Sequence, residues 1–250
     1  MNQAFLDRVR IVLVNTSHPG NIGGTARAMK NMGLSQLFLV DPRKYPHDEA
    51  TRRASNADDV LEGAVVVDSL SQALAGCDLV IGTSARERRI PWPLKDPRAT
   101  AAEAISSRYQ GNIAILFGRE HSGLTNDELQ MCHLHMHIPT NPDYSSLNLA
   151  AAVQVVAYEF RMLALDAPIE VGEESGWDMP LADAADVERM HEHMAATLAS
   201  INFIDPDNPK QALTRLRRMF ARIRLDDMEV SILRGILNRI DKTVAKIKAD

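Results

Sequence analysis

Only two of the 250 residues are cysteine, Cys77 and Cys132, and neither stands in a CxxC pair or beside a histidine cluster. That excludes a disulfide-built scaffold and the common thiolate metal sites, and predicts reduced, partly buried thiols in a cytosolic chain. Long apolar runs are missing too: none reaches the roughly 18 residues of a membrane span. The N-terminal MNQAFLDRVRIVLVNTSHPG has one short apolar run closed by a Gly/Asn-rich turn, which is not the layout of a signal peptide. Nor is there an excess of positive charge. Lys and Arg number 28 against 33 Asp and Glu, a formal net charge of −5, so any grip on nucleic acid must come from local patches. No internal repeat or low-complexity tract is evident, which argues against a solenoid. Phosphate-binding fingerprints are also absent. Gly20, Gly23 and Gly24 do not follow GxGxxG and no Walker A lysine occurs, so a dinucleotide-binding reading loses ground.

What is there supports a sizeable core: 45% of the residues are hydrophobic and 24% charged, values of an ordinary globular protein. To about residue 165, apolar runs (VRIVLV, QLFLV, DLVIGTS, NIAILFG, LHMHIP) alternate with helix-like stretches (TARAMKNM, SQALAGC, SLNLAAAVQVVAYEFRMLAL). The alternation predicts an α/β domain with a mainly parallel sheet wrapped by helices. Continuously apolar runs such as ILF and LVIG suit a sheet covered on both faces. Ligands collect beyond the C-terminal ends of such strands, where the polar segments NTSHPGNIGG, TSARERR, GREHSGLTN and PTNPDYSS stand. Residues 166–180, DAPIEVGEESGWDMP, are acidic and aperiodic and read as a linker. Three amphipathic stretches then predict a helical module over residues 181–250.

Each polar segment has a bland reading and a functional one. After the first strand, glycines allow a tight crossing into a helix beginning near Ile22, with Asn21 at its start and Arg27 in its second turn. An ordinary surface arginine is the competing reading. Arg119 and Glu120 leave a buried strand through Gly118, before a helix capped at Thr125 or Asn126; a solvated turn is the alternative. Ser145 or Ser146 reads as the cap of the long helix that follows, with Asn148 on its first turn. Arg86, Arg88 and Arg89 are a solvated charge run or phosphate contacts. Trp92, between two prolines, stacks on a base or pins a loop. Lys210, Arg215, Arg217, Arg218, Arg222 and Arg224 form either an RNA-gripping stripe or a solvated face. His135 and His137 alternate along one strand without a carboxylate pair, so no metal site is expected.

Taken together and in order, GNIGGTARAMKNMG, FGREHSGLTN and IPTNPDYSSLNLAAAVQVVAYE resemble the three motifs of the TrmH-type branch of the SPOUT RNA ribose 2′-O-methyltransferases. VNTSHPGN, GTSARERRIPWP and the helical extension further resemble the bacterial TrmJ-type tRNA (cytidine/uridine-2′-O-)-methyltransferases. The likeness is close over residues 8–165 and looser beyond. It implies a deep trefoil knot, a rare exception among chain topologies, with S-adenosyl-L-methionine bent inside it. The donor carries no phosphate, so no phosphate fingerprint is required.

The resemblance assigns donor binding to Thr83, Ser84, Ala85, Gly118, Ile138, Ser145, Ser146 and Leu147. It gives the catalytic set as Arg27, Asn21, Glu120, Ser146 and Asn148, with Arg86, Arg88 and Arg119 at the RNA. It also implies a cytoplasmic homodimer, with Ala150 to Ala152 at the dimer contact or buried within the monomer, acting on C or U at anticodon-loop nucleotide 32 of tRNA. Methyl transfer to a ribose hydroxyl needs proton removal, alignment and stabilisation of alkoxide charge, and no metal. Arg27 is the base the resemblance suggests, yet a guanidinium, with a pKa above about 12, resists deprotonation. Arg27 is therefore expected to orient the RNA phosphate or the 2′-oxygen, the proton leaving through phosphate, water or Ser146. The alternatives are a ribosomal RNA methyltransferase with the same motifs, a knotted RNA-binding protein without turnover, and an unrelated doubly wound nucleotide-binding protein.

Overall fold

All six residues of β1 (Val9–Val14) are buried, which makes this strand the natural centre of a sheet covered on both sides. The protein is described by a computed structural model over residues 1–84, 94–106, 109–166, 179–205 and 211–249. Seven strands pair in parallel in the order β3-β2-β1-β6-β4-β7-β5. They are β2 (Gln36–Val40), β3 (Val65–Val67), β4 (Cys77–Thr83), β5 (Leu94–Lys95), β6 (Asn112–Phe117) and β7 (Leu134–Met136) besides β1. The central strands β1, β4 and β6 are the continuously apolar runs, whereas the edges β3 and β5 are short and largely exposed.

Side chains alternate between the two faces, as the strand pleat requires. Ile11 and Leu13 enter one core with α1 (Gln3–Leu6), α2 (Pro19–Met32), α3 (Asp48–Ala54), α4 (Asp58–Glu62), α6 (Pro97–Ala104) and α8 (Leu149–Asp166). Val12 and Val14 enter the other, with α5 (Leu70–Leu74), α7 (Asn126–Gln130) and Ala184 of α9 (Ala184–Ser200). Arg10 on β1 is buried as well. Its guanidinium lies 4.0 Å from the Phe38 ring centroid and donates to the carbonyls of Ala73 and Ala75.

Three helices follow the linker residues, of which 167–178 lie outside the described structure: α9, α10 (Ala212–Ile223) and α11 (Asp227–Ala249). They share a core of their own around Met190, Met194, Phe220, Val230 and Leu237. The module is fastened to the sheet at the N-terminal end of β4. Asp183 accepts from the Gly76 amide while capping α9 at Ala185, 2.6 Å away. Arg224 donates to the Asp78 carbonyl and lies 4.4 Å from the Tyr109 ring centroid. Arg217 pairs with Glu188 inside the module. Of the basic residues read as either an RNA-gripping stripe or a solvated face, Arg217 and Arg224 belong to neither and are turned inward, because a guanidinium with a carboxylate, carbonyl or aromatic face in reach holds elements together.

Candidate active site

The C-terminal ends of β4, β6 and β7 are tied to one another. Thr83 Oγ1 donates to the Leu116 carbonyl at 2.8 Å, the Ser84 amide donates to the Met136 carbonyl at 2.9 Å, and His137 Nδ1 bonds the Ser84 carbonyl at 3.0 Å. Above them opens a cavity of about 1030 Å³. Of the eight positions expected to hold the donor, seven line it: Thr83, Ser84, Gly118, Ile138, Ser145, Ser146 and Leu147. Ala85 lies outside the described residues, as do Arg86, Arg88, Arg89, Trp92 and Lys210. Phe117, Leu124, Met136, Leu149 and Ala152 add an apolar wall. The sequence singles out none of these but Ala152, because core residues carry no motif signal of their own.

Gly118 lies against the backbone of its own loop. A Cβ there would overlap the Gly123 carbonyl carbon and the Leu124 nitrogen, so only glycine fits. The loop is closed by paired backbone bonds, Arg119 N–H to Gly123 O at 3.2 Å and Gly123 N–H to Arg119 O at 2.9 Å. Gly123 makes the return turn with a φ of +69°, a left-handed conformation that suits glycine. Arg119 is committed to this framework. It forks onto both oxygens of Glu128 at 3.0 Å and donates to Asn15, which ties the loop to α7 and to the end of β1.

Glu120 is the junction. It accepts from the Ser17 hydroxyl at 2.9 Å, the Ser17 amide at 3.2 Å, the His18 amide at 3.1 Å and Asn21 Nδ2 at 3.0 Å. Burial alone would raise its pKa, but these bonds, led by that of Asn21, override it and hold the carboxyl at about 2. Asn21 Oδ1 in turn accepts from Asn148 Nδ2 at 3.0 Å. Asn148 Oδ1 accepts the amides of Ala150 and Ala151 at 3.0 and 3.4 Å, so Asn148 is the cap of α8 and not a first-turn residue. Neither Ser145 nor Ser146 serves as that cap. The directions agree throughout, since the capping oxygen fixes which end of Asn148 faces Asn21, and Asn21 is thereby left to present its amide hydrogens to Glu120.

A second hollow, of about 860 Å³, lies beside the first, and Glu120 and His121 border both. Ser17, His18, Gly20, Asn21, Arg53, Asn148 and Ala150 complete its lining. Arg27 stands apart. Because α2 starts at Pro19 with His18 as its cap, earlier than the sequence suggests, Arg27 falls in the third turn, exposed and lining neither cavity. It stands one turn beyond Gly23 and Gly24, where α2 closes on α3 and α8: a Cβ on Gly24 would come within 2.9 Å of the Ala150 Cβ.

The histidines of the apolar strand are held by backbone, His135 Nε2 at 2.9 Å from the Leu129 carbonyl and His137 as above. Cys77 and Cys132 are buried, and burial pushes the Cys77 thiol up to about 12. Among the described residues, no group of three or more His, Cys, Asp or Glu is arranged to hold a metal, and no helix is long and apolar enough to cross a membrane.

Residues 8–158 match the SpoU rRNA methylase family, and residues 185–249 match the C-terminal domain of the tRNA methyltransferase TrmJ. The chain is 52% identical over 245 residues to the tRNA (cytidine/uridine/adenosine-2′-O-)-methyltransferase TrmJ of Pseudomonas aeruginosa, covering 95% of each. It is 50% identical to the tRNA (cytidine/uridine-2′-O-)-methyltransferase TrmJ of Pectobacterium atrosepticum, covering 96% of this chain and 99% of that one. The crystal structure of TrmJ from Z. mobilis ZM4 superposes with a TM-score of 0.81 at 33% identity, over 93% of this chain and 98% of that one. A family match along more than half of the chain, and relatives of this identity along nearly all of it, agree with the strand-end geometry: the chain belongs to the SpoU methylase family, in its TrmJ branch.

Proposed function

We propose that the protein transfers a methyl group from S-adenosylmethionine to the ribose 2′-oxygen of C or U at nucleotide 32 in the anticodon loop of tRNA. The observation that carries this is the hydrogen-bonded series Glu120, Asn21, Asn148, which starts at Glu120, on the border of two adjoining cavities, and runs along the wall of the second. One cavity suits the donor and the other a nucleotide. The first has apolar walls for an adenine and backbone groups at three strand ends to read its edge, as adenosine-like ligands without phosphate require. The closeness of Gly118 to Gly123 and Leu124 keeps side chains out of that wall. Residues 1–165 are the catalytic unit in this reading, and 181–250 are its helical appendage.

The donor supplies a sulfonium methyl group: on transfer the S–CH₃ bond breaks, an O–CH₃ bond forms, and the hydroxyl proton is released. Glu120 is not the acceptor of that proton. A carboxylate held at about 2 by four donors is a weak base at neutral pH; its work is to fix Ser17, His18 and Asn21. Ser146, exposed at the donor cavity, has a route to water for the proton. Arg27 stabilises the developing alkoxide or the neighbouring phosphate.

A homodimer fits the same picture. Ala150 and Ala152 are engaged within the monomer, at α2 and at the donor cavity. Ala151, Val155, Tyr158 and Leu165 are exposed at helical spacing on α8. A second copy on that stripe would meet α2 near Arg27 and bring it into use. The knot accords with a chain that leaves β7 past the Thr83, Gly118 and Ile138 ends before α8. An RNA-modifying reaction of this kind belongs in the cytoplasm.

The test is incubation of the purified protein with methyl-labelled donor and total tRNA, followed by nuclease digestion and mass spectrometry. Label is expected on the 2′-oxygen of nucleotide 32. Label on a base, or no label on tRNA, overturns the reading.

A further inference from the structure

The nucleotide-side hollow has one cation that no motif marks. Arg53, on α3, lines it together with Asn21, Glu120 and Asn148. Its position follows from a glycine. A Cβ on Gly23 would overlap the Ala50 carbonyl and come within 2.9 Å of the Arg53 Cβ, so the bare α2 backbone at Gly23 lets α3 approach and fixes Arg53 beside the first turns of α2.

Some other cations near these elements are already engaged, and Arg27 and Arg52, on the same two helices, do not line this hollow. Lys30 holds Asp59 at 2.7 Å, Arg119 holds Glu128, and Arg161 donates to the Met32 carbonyl at 3.2 Å. Arg53 is exposed and, among the described residues, forms no ion pair. Glu49, one turn back on the same helix and well placed to pair with it, lies instead 3.9 Å from His18 Nε2. His18 Nδ1 accepts the Gly20 amide at 3.1 Å, which puts the ring proton of its neutral form on Nε2, toward Glu49.

Three polar side chains of the hollow, those of Glu120, Asn21 and Asn148, are spent on one another and on Ser17 and His18. Glu120 is filled by four donors, and the amides of Asn21 and Asn148 are bonded together. A ribose entering beside them brings the phosphates of its own strand, and the rim needs a planar fork of donors to hold one of these in register.

We propose that Arg53 binds the RNA phosphate adjoining the reacting ribose and so fixes which 2′-hydroxyl faces the donor cavity. The inference rests on the RNA methyltransferase reading above and adds to it a positioning residue outside the three motifs.

The test compares wild type with Arg53→Ala and Arg53→Lys. Arg53→Ala is expected to raise KM for tRNA about tenfold, the worth of a lost charge-assisted bond, while calorimetry gives an unchanged Kd for S-adenosylmethionine and the Tm holds. The slope of log K for tRNA binding against log salt should become shallower by about 0.7, the share of one single-strand phosphate contact. Arg53→Lys should restore the slope and only part of the KM, because an ammonium keeps the charge and loses the fork. An alanine variant with wild-type KM and salt slope overturns the proposal. If wild type binds tRNA without methylating it, the function reading falls and the salt slope still decides Arg53; if it does not bind tRNA, both fall.

Discussion

Asn148 donates its side-chain amide to Asn21 across 127 residues of sequence, at 3.0 Å, while its oxygen caps α8. One side chain thus performs two separable tasks, and two substitutions distinguish them. Asn148→Asp keeps an equivalent cap but has no hydrogen to give Asn21. Its stability should stay near wild type while methyl transfer falls about 10²-fold, the scale of a misplaced reacting group. Asn148→Ala should lose the same activity and a further ~1 kcal/mol of stability with the cap. Full activity in the Asp variant would show that the contact with Asn21 does not matter for catalysis.

Glu120 makes a pH prediction. Its carboxyl is held at about 2 in the folded chain, below its ordinary 4.5, by Asn21, Ser17 and His18 against the opposing effect of burial. A depressed folded-state pKa contributes stability that is complete above 4.5 and is lost as pH falls from there toward 2. Glu120→Gln cannot satisfy the same donors with one oxygen, and should be about 1.5 to 3 kcal/mol less stable at pH 7. Urea denaturation from pH 7 down to 2.5 should show the two proteins converging below about pH 4.5. A difference independent of pH would mean the carboxylate charge is not what these groups hold.

Gly118 and Gly123 separate steric necessity from backbone preference. Alanine at Gly118 collides with backbone that has no room to yield, so overpacking of about 1 to 3 kcal/mol is expected, with donor affinity reduced at least about tenfold. At Gly123 a Cβ meets nothing within 4 Å, but φ is +69°, and alanine there should cost about 1 to 2 kcal/mol with donor affinity unchanged. Calorimetry and thermal melts on both variants test this; equal donor affinity in the two would remove Gly118 from the cavity wall.

The parts of the fold that were legible in the sequence are those where one physical signal dominates. Strands β1, β4 and β6 are buried on both faces, so their runs are apolar but for Arg10 and Asp78 near their starts, Asn112 at the start of β6 and Thr83 at the end of β4, and the polar loops after them had to meet at one end of a parallel sheet. The seven donor-cavity positions followed from the resemblance that the motifs carry. Residues 41–70 gave no comparable signal: α3, α4 and β3 are short, and the last is largely exposed. The start of α2 lies earlier than the sequence suggests because its cap is a histidine ahead of proline, an uncommon cap whose following proline suits the first helical position. Arg53 was invisible since its role depends on how closely α3 approaches Gly23, a distance no spacing encodes. Arg217 and Arg224 share a helical stretch with solvent-facing arginines, and only their partners Glu188, Asp78 and Tyr109 show that they point inward.

Arg27 gives the sharpest test of the catalytic assignment, because stability and function should part company there. Its side chain is exposed and, among the described residues, takes part in no ion pair, so Arg27→Ala should leave the Tm within the small range of surface substitutions, about ±0.5 kcal/mol. Because it lines neither cavity, donor affinity should also be untouched. Turnover with saturating tRNA and donor should nonetheless fall about 10² to 10³-fold, as when one donor to a developing oxyanion is removed. Arg27→Lys keeps the charge without the planar fork and should recover only part of that loss. Near-normal turnover in the alanine variant would remove Arg27 from the chemistry, whereas a weakened donor Kd would move its role to the other cavity.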